Sequence, residues 1–158
     1  MLANHVLSLL APGQGSQTPG MLSAWLESPA AADRLAQWSS STGLDLVRLG
    51  TTATAEEITD TAITQPLVVA AALLSYEQLR ATYGELPAGT VVAGHSVGEL
   101  AAAAIAGDVS ADDAVRLAAI RGAEMAKACA LTPTSMAAVL GGNETEVLER
   151  LADYDLIP

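Results

Sequence analysis

The stretch GHSVGE, residues 94–99, holds a serine where it could attack a carbonyl group. Ser96 stands between Gly94 and Gly98, after a short β-branched run and before an alanine-rich run. A serine hydroxyl is a weak nucleophile that must be held clear of the backbone, which a sharp strand-to-helix turn achieves when glycines relieve the crowding. The pattern predicts an acyl-transfer nucleophile on such an elbow, in preference to an inert serine in a glycine-flanked turn.

A second glycine-rich stretch, PGQGSQ at residues 12–17, follows the first apolar run of the chain. The glycines on either side of Gln14 let the backbone approach another group and expose N–H donors. An oxyanion hole needs such a donor from a separate loop, beside the donor that follows the nucleophile. A plain glycine-rich turn or a weak phosphate-binding loop is an equally open interpretation of these residues alone.

Arg121 is the third residue that could do chemistry. At about 100° per residue along a helix that starts near Ser110, it falls in the middle of an apolar face. The other members of that face are Leu117, Ala118, Met125, Ala128 and Cys129. A guanidinium in an apolar stripe is costly unless it meets a carboxylate or a phosphate. A structural salt bridge and a substrate anion both remain open, and helical geometry alone slightly favours the salt bridge.

Two continuous apolar runs predict the strands that must position these residues. Residues 6–11 and 90–94 suit strands that are buried on both faces of a parallel sheet. A third strand is expected in SMAAVLGG, residues 135–142. Helices alternate with these strands, so we expect an α/β fold in which helices flank a parallel sheet.

The predicted helices follow from capping and breaking signals. They comprise a helix around Ala32–Ala36, a short helix near Ala55 after the Thr54–Glu57 capping box, a helix from Pro66 to Gly84, a helix over 97–106, a helix from Ser110 to about Ala130, and a helix over about 144–152 capped by Asn143.

Composition excludes several classes of function. The net charge is −11, which disfavours a nucleic-acid partner because few cations are present to neutralise phosphates. His5 and His95 are the only histidines and Cys129 is the only cysteine, so the sequence offers no Cys/His metal cluster. His95 is expected to pack or support the turn and not to act as the base, since adjacent residues point apart there. With no signal peptide and no membrane span in the pattern, a cytoplasmic protein is expected.

Four motifs taken together are similar to one known family. APGQGSQ, TQPLVVAA, GHSVGE and RGAEMAKA resemble, in order and approximate spacing, the malonyl-CoA:acyl-carrier-protein transacylases. The resemblance implies an α/β-hydrolase-like acyltransferase core over residues 1–132. It also implies that residues 133–158 begin a small ferredoxin-like subdomain.

The resemblance assigns a function and site residues. A malonyl group would move from coenzyme A to Ser96 and then to the thiol of an acyl carrier protein, in fatty acid biosynthesis. Arg121 would bind the malonyl carboxylate, the backbone N–H groups of Gln14 and Val97 would form the oxyanion hole, and Gln65 would line the site. No metal and no cofactor are implied beyond malonyl-CoA as substrate, and the full-length protein is expected to be a monomer.

The sequence also departs from the family. The family's catalytic base is a histidine that would lie beyond residue 158, and neither His5 nor His95 occupies its motif. Family members are about twice this length, so a truncated fragment is expected. The alternatives left open are a serine esterase or other hydrolase, a non-catalytic fragment that only binds, and a role in polyketide synthesis.

Overall fold

The computed structural model of the chain describes residues 7–131, 137 and 139–158. His5 and the predicted domain boundary at 132/133 lie outside these residues, and the two-part division stays a prediction. The regular elements are β1 (Ser8–Ala11), α1 (Pro29–Thr42), α2 (Leu46–Thr51), α3 (Thr61–Tyr83), β2 (Val91–Gly94), α4 (Gly98–Ala106), α5 (Ala111–Leu131) and α6 (Glu144–Asp153), with short 3-10 helices at Ser23–Glu27 and Glu57–Thr59. Helices around a parallel sheet confirm the predicted α/β class.

The sheet consists of β1 and β2, which pair in parallel with Ser8 opposite Val91 and Ala11 opposite Gly94. Both strands therefore end at the same edge, which brings the loop after β1 next to the turn after β2. The prediction that both faces of these strands are buried is wrong, since Leu10 is 78% exposed and Val91 is 53% exposed. The sheet has only two strands in the described part of the chain, and the described helices do not enclose it on all sides.

The hydrophobic core lies among the helices that follow β1, with α3 packed along α5. Its fully buried large side chains are Leu22, Leu35, Trp38, Leu46, Ile58, Leu67, Val68, Val69, Leu74, Val97 and Val115. Because α3 and α4 pack in this core, their N-terminal ends are held beside the edge of the sheet.

Side-chain caps start α2, α3, α5 and α6, whereas α1 and α4 begin without one. At α5, Ser110 Oγ accepts the N–H of Asp113 at 3.0 Å, as the capping pattern predicted. The prediction that Pro66 begins a helix is wrong, because Asp60 caps α3 one turn earlier by accepting the N–H of Ala62 at 2.8 Å. That cap satisfies a backbone donor that would otherwise lack a partner, and Pro66 lies inside the helix.

The C-terminal part differs from expectation in one respect. Ala137, Val139 and Leu140 belong to no strand, and the other residues of the predicted strand up to Ala138 lie outside the described residues. Val139 is 60% exposed and Leu140 is 92% exposed, since no neighbouring strand in the described residues pairs with them. Asn143 does cap α6 as predicted, accepting the N–H of Thr145 at 3.0 Å. A ferredoxin-like subdomain stays a prediction.

None of the described helices combines the length and the apolar character that crossing a membrane requires.

Candidate active site at the edge of the sheet

Ser96 occupies the corner between β2 and α4. Its backbone has φ = +54°, a left-handed conformation that is uncommon for residues other than glycine. The turn closes through the N–H of Gly98, which donates to the carbonyl oxygen of His95 at 2.9 Å. The Ser96 side chain is exposed at this corner, so its hydroxyl is accessible to a substrate.

The glycines beside Ser96 are required by close backbone contacts. A Cβ atom at Gly98 would collide with the carbonyl oxygens of Ala11 and Pro12, at the end of β1. A Cβ atom at Gly94 would collide with the backbone of Gly98. Both positions therefore exclude larger residues, because α4 starts in direct contact with the ends of the two strands.

The glycine-rich loop over residues 12–17 packs against the same turn. A Cβ atom at Gly13 would collide with the imidazole Nδ1 and the carbonyl oxygen of His95, so this histidine ring lies against the loop. Among the described residues, no hydrogen bond joins that ring to Ser96. His95 is exposed apart from this contact with the loop, and its supporting or packing role stays a prediction.

Gln14 and Val97 bring two backbone N–H groups to this junction. Neither N–H finds an acceptor within the described part of the chain. The side chain of Gln14 is anchored separately, because its Nε2 donates to Thr61 Oγ1 at 3.1 Å. The backbone of Gln14 is thereby tied to the start of α3, while the oxyanion role of both N–H groups stays a prediction.

Arg121 reaches the serine from α5. Its Nη2 donates to Ser96 Oγ at 3.3 Å, and its Nη1 donates to Gln65 Oε1 at 2.7 Å. Gln65 is fully buried, and its Nε2 donates to Met125 Sδ at 3.2 Å. Three residues predicted to share a site therefore lie in one hydrogen-bonded series, which Met125 extends. Met125 was predicted on the apolar face of α5 and within the RGAEMAKA motif, and no local signal pointed to its contact with Gln65.

Arg121 also differs from the other cations of the chain in its charge environment. The six others each lie within salt-bridge distance of a carboxylate, and they are Arg34, Arg48, Arg80, Arg116, Lys127 and Arg150. Within the described residues, Arg121 has no carboxylate within 4.0 Å. The structural salt bridge that helical geometry slightly favoured is absent from the described residues. Its positive charge, half-buried beside the serine, is therefore available to an anion from outside.

Comparison with known proteins places this arrangement in a family. The family model described as an acyl transferase domain matches residues 9–157. The chain belongs to the acyl transferase domain family. Residues 9–157 include β1, the loop after it, Ser96 and Arg121, so the match spans the whole site.

Individual relatives of this acyl transferase domain carry a more specific name. The malonyl CoA-acyl carrier protein transacylase of Mycobacterium tuberculosis is 64% identical over 153 residues, which are 97% of this chain and 51% of the relative. The Mycolicibacterium smegmatis protein of the same name is 71% identical over 138 residues, covering 87% of this chain and 47% of the relative. The predicted family resemblance is confirmed.

A solved structure agrees with these sequences. The crystal structure of MCAT from Mycobacterium tuberculosis superposes with a TM-score of 0.87 at 64% identity, covering 98% of this chain and 51% of that one. The chain thus spans about half the length of the curated relatives it matches.

The buried face of α5 differs from the apolar face that was predicted for this helix. The buried residues of this helix are Ala114, Val115, Ala118 and Gly122. Leu117 is 41% exposed, and Ala128 and Cys129 are exposed as well. Arg121 consequently lies at the border of the buried stripe and not in its middle.

The contact of Gly122 with α3 explains why the buried stripe of α5 differs from the predicted face. A Cβ atom there would lie 2.6 Å from the carbonyl oxygen of Thr61 and 3.4 Å from Gln65 Cβ. The absence of a side chain lets α5 approach α3 closely at this point. That approach brings the neighbouring Arg121 within hydrogen-bond distance of Gln65.

An apolar groove with a volume of about 420 Å³ opens beside β1, and Ser96 is not among the residues that line it. Its walls come from β1, α3 and α4, and include Leu10, Val68, Tyr76, Leu79 and Ile105. The described residues contain no group of His, Cys, Asp and Glu side chains that could hold a metal ion.

Proposed function

We propose that the whole protein transfers a malonyl group from coenzyme A to the thiol of an acyl carrier protein, in fatty acid synthesis. One observation carries the proposal: Arg121, the cation without a carboxylate partner in the described residues, donates to Ser96 Oγ. A malonyl group carries a carboxylate one methylene away from its thioester carbonyl. A site for it therefore needs a nucleophile and a cation side by side. The names of the relatives, malonyl CoA-acyl carrier protein transacylases, support the same substrate and carrier.

In the proposed first step, Ser96 Oγ attacks the thioester carbonyl of malonyl-CoA. An ester bond forms to the serine, the carbon–sulfur bond breaks, and coenzyme A leaves as the thiol with the proton that Ser96 gives up. The negative charge on the carbonyl oxygen would be stabilised by the N–H groups of Gln14 and Val97. Arg121 would hold the malonyl carboxylate throughout.

In the proposed second step, the thiol of the carrier protein attacks the ester. The carbon–oxygen bond breaks, a new thioester forms and Ser96 regains its proton. The resemblance assigns the proton transfers to a histidine beyond residue 158, and a general base of this kind contributes roughly 10²- to 10⁴-fold. We therefore expect the present chain alone to acylate slowly. No cofactor takes part in this scheme.

Arg121 disfavours the alternative of a general serine esterase. A neutral acyl chain would leave the half-buried guanidinium unpaired, and a site that loses a hydrogen-bonded partner discriminates strongly against such a ligand. A cytoplasmic location is part of the proposal, since the lone Cys129 suits a reducing compartment.

The test uses a hybrid protein, in which this chain is joined to the part of the Mycobacterium tuberculosis relative that it does not match. The hybrid is mixed with malonyl-CoA, its mass is measured, and transfer to an acyl carrier protein is then followed. A malonyl adduct that is absent from the Ser96→Ala variant, and that passes to the carrier, supports the proposal. Turnover of simple esters without transfer would favour the esterase, and an unchanged mass would favour a protein that only binds. Carriers from fatty acid and polyketide synthesis, compared side by side, distinguish the two pathways.

A further inference from the structure

We propose that Gln65 and Met125 are positioning residues that make the site selective for acyl groups bearing a carboxylate. They do so by holding the guanidinium of Arg121 in one orientation without neutralising its charge. The inference rests on the proposed function in that the carboxylate belongs to the acyl group destined for Ser96.

The contacts around Gln65 fix its amide in one orientation. Its oxygen faces Arg121 Nη1 at 2.7 Å and its nitrogen faces Met125 Sδ at 3.2 Å. A guanidinium has only donors and a thioether sulfur only accepts, so a flipped amide would set its nitrogen against a donor and its oxygen against the sulfur. Full burial removes the water that could compensate for such a flip.

The fixed amide determines which part of Arg121 is available. Nη1 is occupied by Gln65, whereas Nη2 points to the Ser96 hydroxyl. The guanidinium is rigid and planar, so fixing one nitrogen fixes the fork that a carboxylate would meet. The side chain is therefore preorganised beside the serine before any substrate arrives.

The neutrality of Gln65 matters as much as its position. A carboxylate at position 65 would also accept from Nη1, but it would supply a buried counter-ion for Arg121. The charge of Arg121 would then already be paired before the substrate binds, so the preference for malonyl over acetyl would fall. Glutamine is thus the residue that orients the guanidinium and leaves its charge unpaired.

Met125 completes the arrangement from the same helix as Arg121. It follows Arg121 by one helical turn, so both side chains face Gln65 across the close contact between α5 and α3 at Gly122. Leucine at position 125 would preserve most of the volume and remove the sulfur acceptor. The amide nitrogen of Gln65 would then be buried without a partner, and its orientation would be less defined.

The experiment measures binding, so that its result does not depend on acyl transfer. Dissociation constants for malonyl-CoA and acetyl-CoA are measured by calorimetry on the Ser96→Ala hybrid protein, with and without Gln65→Glu. We expect the unsubstituted site to prefer malonyl-CoA, and Gln65→Glu to lower that preference by about tenfold or more. Gln78→Glu is the matched control, because it introduces the same charge at an exposed position of α3.

A second, more conservative variant, Met125→Leu, tests the inference in case Gln65→Glu does not fold. Met125→Leu should lower the preference in the same direction and by less, with a larger loss of affinity for malonyl-CoA than for acetyl-CoA. If Gln65→Glu fails to fold, this variant alone decides. If the affinities for malonyl-CoA and acetyl-CoA fall equally, or if the preference is unchanged in the variants that fold, the inference is overturned and the proposed function still stands. A preference for malonyl-CoA in the Ser96→Ala hybrid, without acyl-enzyme formation in the hybrid that keeps Ser96, would contradict the proposed function alone. Absence of any preference in the Ser96→Ala hybrid would overturn the inference itself.

Discussion

Arg121 Nη2 lies 3.3 Å from Ser96 Oγ, although the two residues are 25 positions apart in the chain. The serine is presented by the turn between β2 and α4, and the arginine by the middle of α5. Because α5 is held against α3 at Gly122, the distance between cation and hydroxyl is set by helix packing and not by a flexible loop. An acyl group on this serine would therefore lie beside the guanidinium.

The first prediction concerns the charge of Arg121. In the hybrid protein, Arg121→Ala should lower kcat/KM for malonyl-CoA by about 10²-fold or more, because a charge-assisted pair with the carboxylate is lost. Relative use of acetyl-CoA, which has no carboxylate, should rise. Arg121→Lys should recover only part of the loss, since an ammonium group cannot form the planar two-point contact.

The control for this prediction is Arg116→Ala on the same helix. Arg116 is exposed and already paired with Asp113, three residues away, so its loss should leave both substrates unaffected. Steady-state kinetics with malonyl-CoA and acetyl-CoA provide the measurement. Equal losses for both substrates in Arg121→Ala would make the arginine structural.

The second prediction separates the strain at Ser96 from its chemistry. A side chain at φ = +54° costs on the order of 1 kcal/mol, which glycine avoids. Ser96→Gly and Ser96→Ala should both abolish the malonyl adduct. Ser96→Gly should have the higher free energy of unfolding of the two, by about 1 kcal/mol in urea denaturation. Equal stability of the two variants would show that the turn relaxes when the hydroxyl is removed.

The third prediction tests the close contact at Gly122. In a helix interior, replacing glycine by alanine normally stabilises by about 1 kcal/mol. A Cβ atom here would lie 2.6 Å from the carbonyl oxygen of Thr61, and such overpacking costs about 1–3 kcal/mol. Gly122→Ala should therefore lower the free energy of unfolding or leave it unimproved, and it should weaken the malonyl preference by displacing Arg121.

An exposed position of the same helix provides the reference value. The difference between Glu124→Ala and Glu124→Gly gives the helix-propensity term alone, because Glu124 lies at the solvent-facing side of α5. If Gly122→Ala stabilises the protein by as much as that difference, then the contact between α5 and α3 is looser than the structure indicates.

Local signals predicted several of the elements that surround the site, although α3 begins at Thr61 and not at Pro66. The apolar run before Pro12, the capping pair at Ser110 and the glycine after α4 each specify a strand or a helix end through contacts within a few residues. The α/β class followed from the order of strands and helices, and the family resemblance followed from the four motifs APGQGSQ, TQPLVVAA, GHSVGE and RGAEMAKA; both were confirmed.

Long-range packing is what the sequence did not reveal. Helical periodicity placed Arg121 in the middle of an apolar face, but the buried stripe of α5 is decided by where α3 approaches most closely, at Gly122. The contact between Gln65 and Met125 joins positions 60 residues apart, and nothing in either local pattern encodes it. Similarly, an apolar run predicts a buried strand without saying which element covers it, and Leu10 of β1 is exposed in the described structure.

The fourth prediction concerns Asp112, which connects α5 to α1. Its Oδ1 accepts the indole N–H of Trp38 at 2.8 Å, and its Oδ2 accepts Nε2 of Gln37 at 3.1 Å. Trp38 is fully buried, so Asp112→Ala should cost about 1–3 kcal/mol of unfolding free energy by leaving its N–H without a partner. The ion pair with Arg34 contributes less, since both side chains are about one-third to one-half exposed.

The control variants separate these contributions. Asp112→Asn keeps an oxygen for the indole N–H and should lose clearly less stability than Asp112→Ala. Asp33→Ala removes an exposed carboxylate from α1 and should have little effect. Thermal or urea denaturation of the hybrid protein gives the ranking, and equal losses in both Asp112 variants would attribute the effect to the charge.

The last prediction concerns the 158-residue chain by itself. Leu10 is 78% exposed and Val91 53% exposed on the two strands, and an uncovered apolar strand is prone to pair with other chains. We therefore expect the chain alone to aggregate and to acylate Ser96 slowly, as measured by light scattering and mass spectrometry. The unmatched part of the Mycobacterium tuberculosis relative, added as a separate polypeptide, should improve both solubility and malonyl transfer. A chain that is monomeric and fully active alone would show that the exposed strands need no cover and that the general base is already present within these residues.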